Sequence, residues 1–233
     1  MKKNEIVSII IPTYNEQDCV GNLIKYLKLN APRNVEIIIS DGGSTDETIA
    51  VATAEGATVV ISPKKGRATQ MNFGASFATG NIFYFVHADC LPPKNFYAEI
   101  TTSLNKGFHL GRFRTKFKSN SILLKLNAFF TRFDWFICYG GDQTLFISVD
   151  TFKKINGFNE AMLIMEDFDI VQRARKNFQY AVLKEKVLVS ARKYKTNSWL
   201  KVQLANRAVV KMYRQGVEQN VLVEKYKQLL DSM

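Results

Sequence analysis

The apolar and polar positions of the first hundred residues fall into short alternating blocks. Val7-Ser8-Ile9-Ile10-Ile11 has the pattern of a buried strand, and Pro12 is expected to end it. Val35 to Ser40 reads as a second strand, Thr58 to Ile61 as a third and Ile82 to Val86 as a fourth. Helix-like blocks separate them. Asn15 is the expected N-cap of a helix reaching about Asn30. Ser44-Thr45-Asp46-Glu47 has the spacing of a capping box, so a helix is expected from there to about Glu55, with Gly56 as its stop. Ala68 to Ala78 is a third helix. This rhythm predicts an α/β fold with a mostly parallel central sheet flanked by helices.

The second half is less regular. Arg112, Arg114, Lys116 and Lys118 alternate with Phe113, Thr115 and Phe117, which predicts a strand with one basic and one apolar face, the basic face most simply solvated. Apolar residues at Ile122, Leu126, Phe129, Phe133 and Phe136 recur near helical spacing. Two readings of that stretch stay open: a helix packed on the core, or an interfacial helix that touches lipid or a lipid-linked acceptor. Gln143 to Ser148 reads as a strand, Glu166 to Lys176 as a helix, and 198–233 as a helical C-terminal tail. One domain over 1–233 is the economical division, with a regular part at 1–110, a less regular part at 111–197 and the tail beyond.

Composition narrows the function classes. The chain has 233 residues, 46% of them hydrophobic, enough for a sizeable core. Its 32 Lys and Arg against 21 Asp and Glu leave a formal charge of +11, which favours anionic partners. The basic residues are dispersed and no RNA-binding motif occurs, so nucleic acid is not the expected partner. Cys19, Cys90 and Cys138 show no Cys-x-x-Cys spacing, which argues for reduced thiols in a cytoplasmic protein and against a zinc site. The lipid-touching reading of 122–139 would make that location peripheral, on the inner membrane face. The apolar run at Ile6 to Ile11 is too short for a signal peptide, and no stretch reaches membrane-spanning length.

The candidate chemistry lies where apolar runs end in carboxylates. Asp41 closes the second strand, Asp89 follows the fourth, and Glu166-Asp167 opens a helix. Open α/β sheets present their ligand-binding groups at this carboxyl edge. Gly42 and Gly43 allow close approach of a ligand to the backbone. Neither a G-x-G-x-x-G fingerprint nor a P-loop is present.

Pro12-Thr13-Tyr14-Asn15-Glu16 and Asp41-Gly42-Gly43-Ser44-Thr45-Asp46, followed by His87-Ala88-Asp89 and Glu166-Asp167, resemble the family 2 inverting glycosyltransferases of GT-A fold over roughly residues 6 to 190. Lys65-Gly66-Arg67-Ala68-Thr69-Gln70-Met71-Asn72 and the His-Ala-Asp motif look most like a bacterial subgroup of small soluble members. The resemblance implies a hexosyltransferase-like, metal-dependent enzyme with a UDP- or GDP-linked sugar donor. It assigns Pro12, Tyr14, Glu16 and Asp41 to the nucleotide, Asp89 to a divalent metal on the diphosphate and Asp167 to the catalytic base. It makes 1–110 the nucleotide-sugar half and 111–197 the acceptor half. Glu166 would orient the loop or the donor, Asp142 and Gln143 would meet acceptor or donor sugar, and Arg67 and Arg192, with Lys65 and Lys193, the phosphates. His87 stands where the family has a first Asp; imidazole suits Mn2+ better than Mg2+. The expected acceptor is an amphipathic, lipid-linked or otherwise anionic molecule. The alternative is a non-catalytic nucleotide-sugar-binding module on the same fold.

Overall fold

Strand β1 (Val7–Thr13) is buried along its whole length, and its alternation sends Val7, Ile9 and Ile11 to one side and Ile10 to the other. A computed structural model describes residues 5–32, 34–139 and 144–230. Within them the first half continues as α1 (Gln17–Asn30), β2 (Val35–Asp41), α2 (Thr48–Ala54), β3 (Thr58–Ile61), α3 (Arg67–Ser76) and β4 (Ile82–Phe85). Then follow β5 (Cys90–Leu91), α4 (Phe96–Asn105), β6 (Leu110–Phe117), α5 (Ile122–Phe130) and a 3-10 turn at Phe136–Cys138. The chain goes on through β7 (Leu145–Ser148), α6 (Val149–Lys154), α7 (Glu166–Arg175) and β8 (Tyr180–Val189). It ends in α8 (Lys193–Thr196), α9 (Trp199–Arg214) and α10 (Gln219–Leu229).

All eight strands join one sheet in the order β3-β2-β1-β4-β7-β6-β8-β5. β1 to β4 are mutually parallel, as the sequence pattern predicts. β7 runs against both β4 and β6, and β5 against β8, so the sheet is mixed. On one face Leu23, Ile24 and Leu27 of α1 pack with Ala52 of α2 and Phe96 of α4. On the other, Met71 of α3, Phe152 of α6, and Phe168 and Ile170 of α7 surround Phe83 and Phe85. Each fully buried side chain of this kind contributes about 1.5–3 kcal/mol. α9 and α10 add a small cluster of their own around Val202, Ala205 and Leu230.

Several boundaries differ from the sequence pattern, each for a local reason. Pro12 lies within β1; pairing with β4 stops at Ile10, so the missing Pro N–H falls where that ladder has already ended. Asn15 does not cap α1. It adopts φ 53°, and its side-chain oxygen accepts from Thr45 N at 2.9 Å instead. The Ser44–Glu47 capping box does not form either: the Ser44 hydroxyl donates to Asp41, and Asp46 accepts from Thr48 N at the true start of α2. The basic face of β6 is not simply solvated. Arg112 is 1% exposed, and its guanidinium donates to the carbonyls of Thr131 at 2.7 Å and Phe133 at 3.0 Å. The aromatic stretch is not one helix: α5 stops at Phe130, and Leu124 is its one buried side chain.

Candidate active site

The carboxyl ends of β1, β2 and β4 converge with the starts of α3 and α7. The loops after β1 and β2 are zipped together: Asn15 N donates to Ser44 Oγ at 2.8 Å, Gln17 N to Asp46 Oδ2 at 3.2 Å, and Glu47 N to Gln17 Oε1 at 3.0 Å. Asp41 sits at their root, fully buried. One oxygen accepts from Gly43 N at 2.9 Å and Ser44 N at 2.6 Å, the other from Thr13 Oγ1 at 2.7 Å and Ser44 Oγ at 2.6 Å. Those donors use most of what a carboxylate can accept, so Asp41 builds the loop more than it offers itself to a ligand. Gly43 has φ +85°, a left-handed value that glycine adopts freely.

Tyr14 extends from the first loop, 39% exposed, with Lys65 Nζ 3.2 Å from its ring centroid. Pro12 is buried in the strand and shapes this edge from within. Gln70 is the residue whose role the sequence pattern did not reveal. Buried, it donates to the carbonyls of Thr13 at 2.7 Å and Ser40 at 2.9 Å, tying the ends of β1 and β2 together. A Cβ at Gly42 would come within 2.9 Å of it, so this loop needs glycine for packing as well.

Beyond β4, the Asp89 carboxylate lies 3.3 Å from Arg192 Nε, and the same guanidinium grips Glu16 with bonds of 2.9 and 2.6 Å. The Glu16 bonds, helped by Asp89, push the pKa of Arg192 upward against burial, so it stays a cation. His87 Nε2 stands 3.9 Å from Asp167 Oδ2, too far for a hydrogen bond but within range of charge. Beside Asp167, Glu166 is 1% exposed and its Oε1 lies 2.8 Å from Arg67 Nε, an ion pair linking the starts of α7 and α3. Met165, just before this acidic pair, has φ 69°, a costly value for a side chain with a Cβ. Nothing in the sequence announces this left-handed residue at the start of α7.

Arg67 with Glu166, His87 with Asp167, and Arg192 with Glu16 and Asp89 are thus linked along one edge of the sheet, with Asp41 and Tyr14 in the loops beside them. Asp142 and Gln143 lie outside the described residues. A half-open cleft of about 530 Å3 abuts Arg192, lined by Lys118, Lys195, Ser198 and Trp199 among others. No cluster of three or more His, Cys, Asp and Glu able to hold a metal alone occurs among the described residues. Asp89 nonetheless fits a cation: its carboxylate already holds a guanidinium. Mg2+ and Mn2+ commonly take one or two carboxylates plus substrate phosphates.

A mixed, mainly parallel sheet with helices on both faces and its polar groups gathered at one strand edge defines the GT-A class of fold. The chain belongs to glycosyl transferase family 2, whose model matches residues 8–149. It is similar to glucosyl-3-phosphoglycerate synthase of Mycolicibacterium smegmatis, 34% identical over 101 residues that make up 40% of this chain and 33% of the synthase. The chain therefore spans about a third of that relative's length. Among solved structures it is similar to a mannosyltransferase of Pyrobaculum calidifontis in complex with GDP-mannose and Mn2+, with TM-score 0.71, 16% identity, and coverage of 98% of this chain and 70% of that one. The synthase of Mycobacterium tuberculosis in complex with Mn2+, UDP and glucosyl-3-phosphoglycerate gives TM-score 0.65, 17% identity, and coverage of 92% and 81%.

Proposed function

We propose that this chain is an inverting hexosyltransferase that moves a sugar from a UDP- or GDP-linked donor to an acceptor hydroxyl. The observation that carries this reading is the position of Asp167, brought by α7 beside His87 at the edge that also holds Asp89 and Arg192. In a single displacement, the acceptor oxygen attacks the anomeric carbon from the face opposite the diphosphate. The bond from that carbon to the diphosphate breaks, and the leaving group keeps the electron pair. Asp167 takes the proton from the attacking hydroxyl. His87 beside it positions the carboxylate, and the Arg67–Glu166 pair fixes the start of the helix that carries it.

Tyr14 with Lys65, on the loop that Asp41 and Gln70 hold, forms the floor for the nucleoside. Asp89 would hold the divalent ion, Mn2+ or Mg2+. That ion, when bound, offsets charge on the diphosphate. A cation on Asp89 competes with Arg192, which is then free to turn its charge to the diphosphate. The two similar solved structures contain Mn2+ with a nucleotide or nucleotide sugar, which supports the same donor class here. The cationic cleft beside Arg192 suits an acceptor that carries negative charge.

A panel of nucleotide sugars with Mn2+ or Mg2+ tests the reading by thermal shift and by donor hydrolysis. A UDP- or GDP-sugar that stabilises the protein only with metal, and is then turned over, is the expected result. The second reading, a nucleotide-sugar-binding module without chemistry, has one observation in its favour: Asp89 is already balanced by Arg192. Metal-independent stabilisation with no turnover on any acceptor would establish that reading and remove the first.

A further inference from the structure

The segment after β6 carries an apolar surface that the fold leaves open. Ile122 is 81% exposed, Ile137 66% and Trp135 50%, with Leu126, Phe129 and Phe130 also exposed. Exposed apolar groups are ordinary when scattered, but these lie within sixteen consecutive residues. They are also ordered among themselves. Trp135 stacks on Phe133 at 4.5 Å between centroids, and Phe130 reaches both Trp135 and Phe129.

The way the segment is held explains why its apolar side faces out. Its inner attachment is largely polar: Arg112 donates to the carbonyls of Thr131 and Phe133, and Thr115 N donates to Thr131 Oγ1 at 2.9 Å. Hydrogen bonds fix the end of α5 without consuming its apolar side chains.

Charge chooses the occupant. Between Lys116 and Tyr139 the chain has four exposed Lys and Arg (Lys116, Lys118, Lys125 and Arg132) and one acidic residue, Asp134. Asp134 is paired with Arg175. Arg132 lies over the Phe129 ring, 3.6 Å from its centroid, so cation and aromatic share one surface. A second copy of a chain with charge +11 would be repelled from this basic rim. An anionic lipid surface satisfies both parts at once: basic residues are drawn to its headgroups, and aromatic and aliphatic side chains enter below them.

We propose that α5 and the segment to Ile137 dock the protein peripherally on an anionic membrane. The surface is continuous with the proposed chemistry. Phe136, between Trp135 and Ile137, packs 5.2 Å from Phe168, the residue after Asp167. Docking there brings the start of α7 close to the lipid surface.

The test needs no enzymatic activity. The intact chain is sedimented with vesicles of phosphatidylcholine alone, or of phosphatidylcholine with about one third phosphatidylglycerol, at low and high salt. The expected result is association with the anionic vesicles only, weakened by salt, with a blue shift of Trp135 emission that Trp135→Phe removes. The double variant Leu126→Ser/Phe129→Ser should bind those vesicles about tenfold more weakly or worse. Both side chains are exposed, so its melting temperature and nucleotide binding should match the parent. Three results would overturn the proposal. They are no association at low salt, equal association of parent and double variant, or a parent dimer that the double variant abolishes.

Discussion

The loops after β1 and β2 and the segment after β6 both depend on a buried charged side chain, and they use it in opposite directions. In the first, Asp41 draws two loops inward with donors from Thr13, Gly43 and Ser44, leaving polar groups and a tyrosine at the surface. In the second, Arg112 draws carbonyls inward and leaves aromatic side chains outside. The difference teaches that a charge next to an apolar run has no meaning of its own. Its partner decides whether the surface above it becomes a polar cleft or an apolar face.

The strongest way to sharpen that contrast is to alter the one carboxylate assigned to chemistry. Asp167→Asn keeps size and removes the ability to take a proton. It should lower transfer by a factor of about 10² or more while leaving donor affinity within a small factor. Steady-state kinetics beside calorimetry with the nucleoside diphosphate would separate the two. Near-normal turnover on the true acceptor would move the base elsewhere, with Glu166 next to be tested.

Asp41→Ala should break the polar side of the comparison. Removing a buried carboxylate that accepts four hydrogen bonds leaves their donors unsatisfied, at a cost of about 3 kcal/mol in stability. Denaturant unfolding would show the loss. Donor affinity should fall as well, because the loop that carries Tyr14 loses its root. A variant that binds normally and unfolds like the parent would refute the structural role.

Arg112→Ala is the matching test on the apolar side. It orphans the carbonyls of Thr131 and Phe133 and should cost about 2–3 kcal/mol. Hydrogen exchange should rise first in 122–138, while β1 and β2 stay protected. Uniform loss of protection would mean that the segment is a part of the core rather than an attachment to it.

How much of this was legible in the sequence follows the same divide. The first four strands could be read because each is a short run rich in Val, Ile or Phe between turn residues, and local pattern suffices there. Asp41, Asp89 and Asp167 could be picked because strand ends and helix starts place them at one edge. The partners could not be read. Gln70 reaches Thr13 and Ser40 across 57 and 30 residues, and Arg192 reaches Glu16 across 176. The 122–139 stretch stayed open between two readings for a different reason. Its apolar spacing is real, but spacing says which side chains share a face, not whether that face is covered. Arg112 holds the segment from behind, a contact that spacing does not reveal.

Arg192→Gln should act on the site alone. The side chain is exposed and bridges Glu16 and Asp89, so stability should change by less than about 0.5 kcal/mol. Donor affinity in the presence of metal should fall roughly tenfold, the size of one charge-assisted contact to phosphate. An unchanged affinity would confine Arg192 to holding Glu16.

The smallest effect is expected at the opposite end of β2, where Glu36 supplies a carboxylate with no ligand to meet. Burial works against its charge, but hydrogen bonds from Ser8, Thr79 and Gly80 outweigh it and hold its pKa below the usual glutamate value. A lowered folded-state pKa means that the carboxylate stabilises the fold at any pH above its unfolded value. That contribution fades as the pH falls through the folded value, where both states are protonated. Glu36→Gln should therefore cost about 1 kcal/mol near neutrality and nothing in acid. Chemical denaturation across that range would reveal the converging curves. Nucleotide binding should stay as in the parent, since Glu36 ties the starts of β1 and β2 to the turn before β4, a strand's length from the site. A loss of nucleotide affinity in this variant would show that the two ends of β2 are coupled, and that Asp41's effect on binding cannot be read as local.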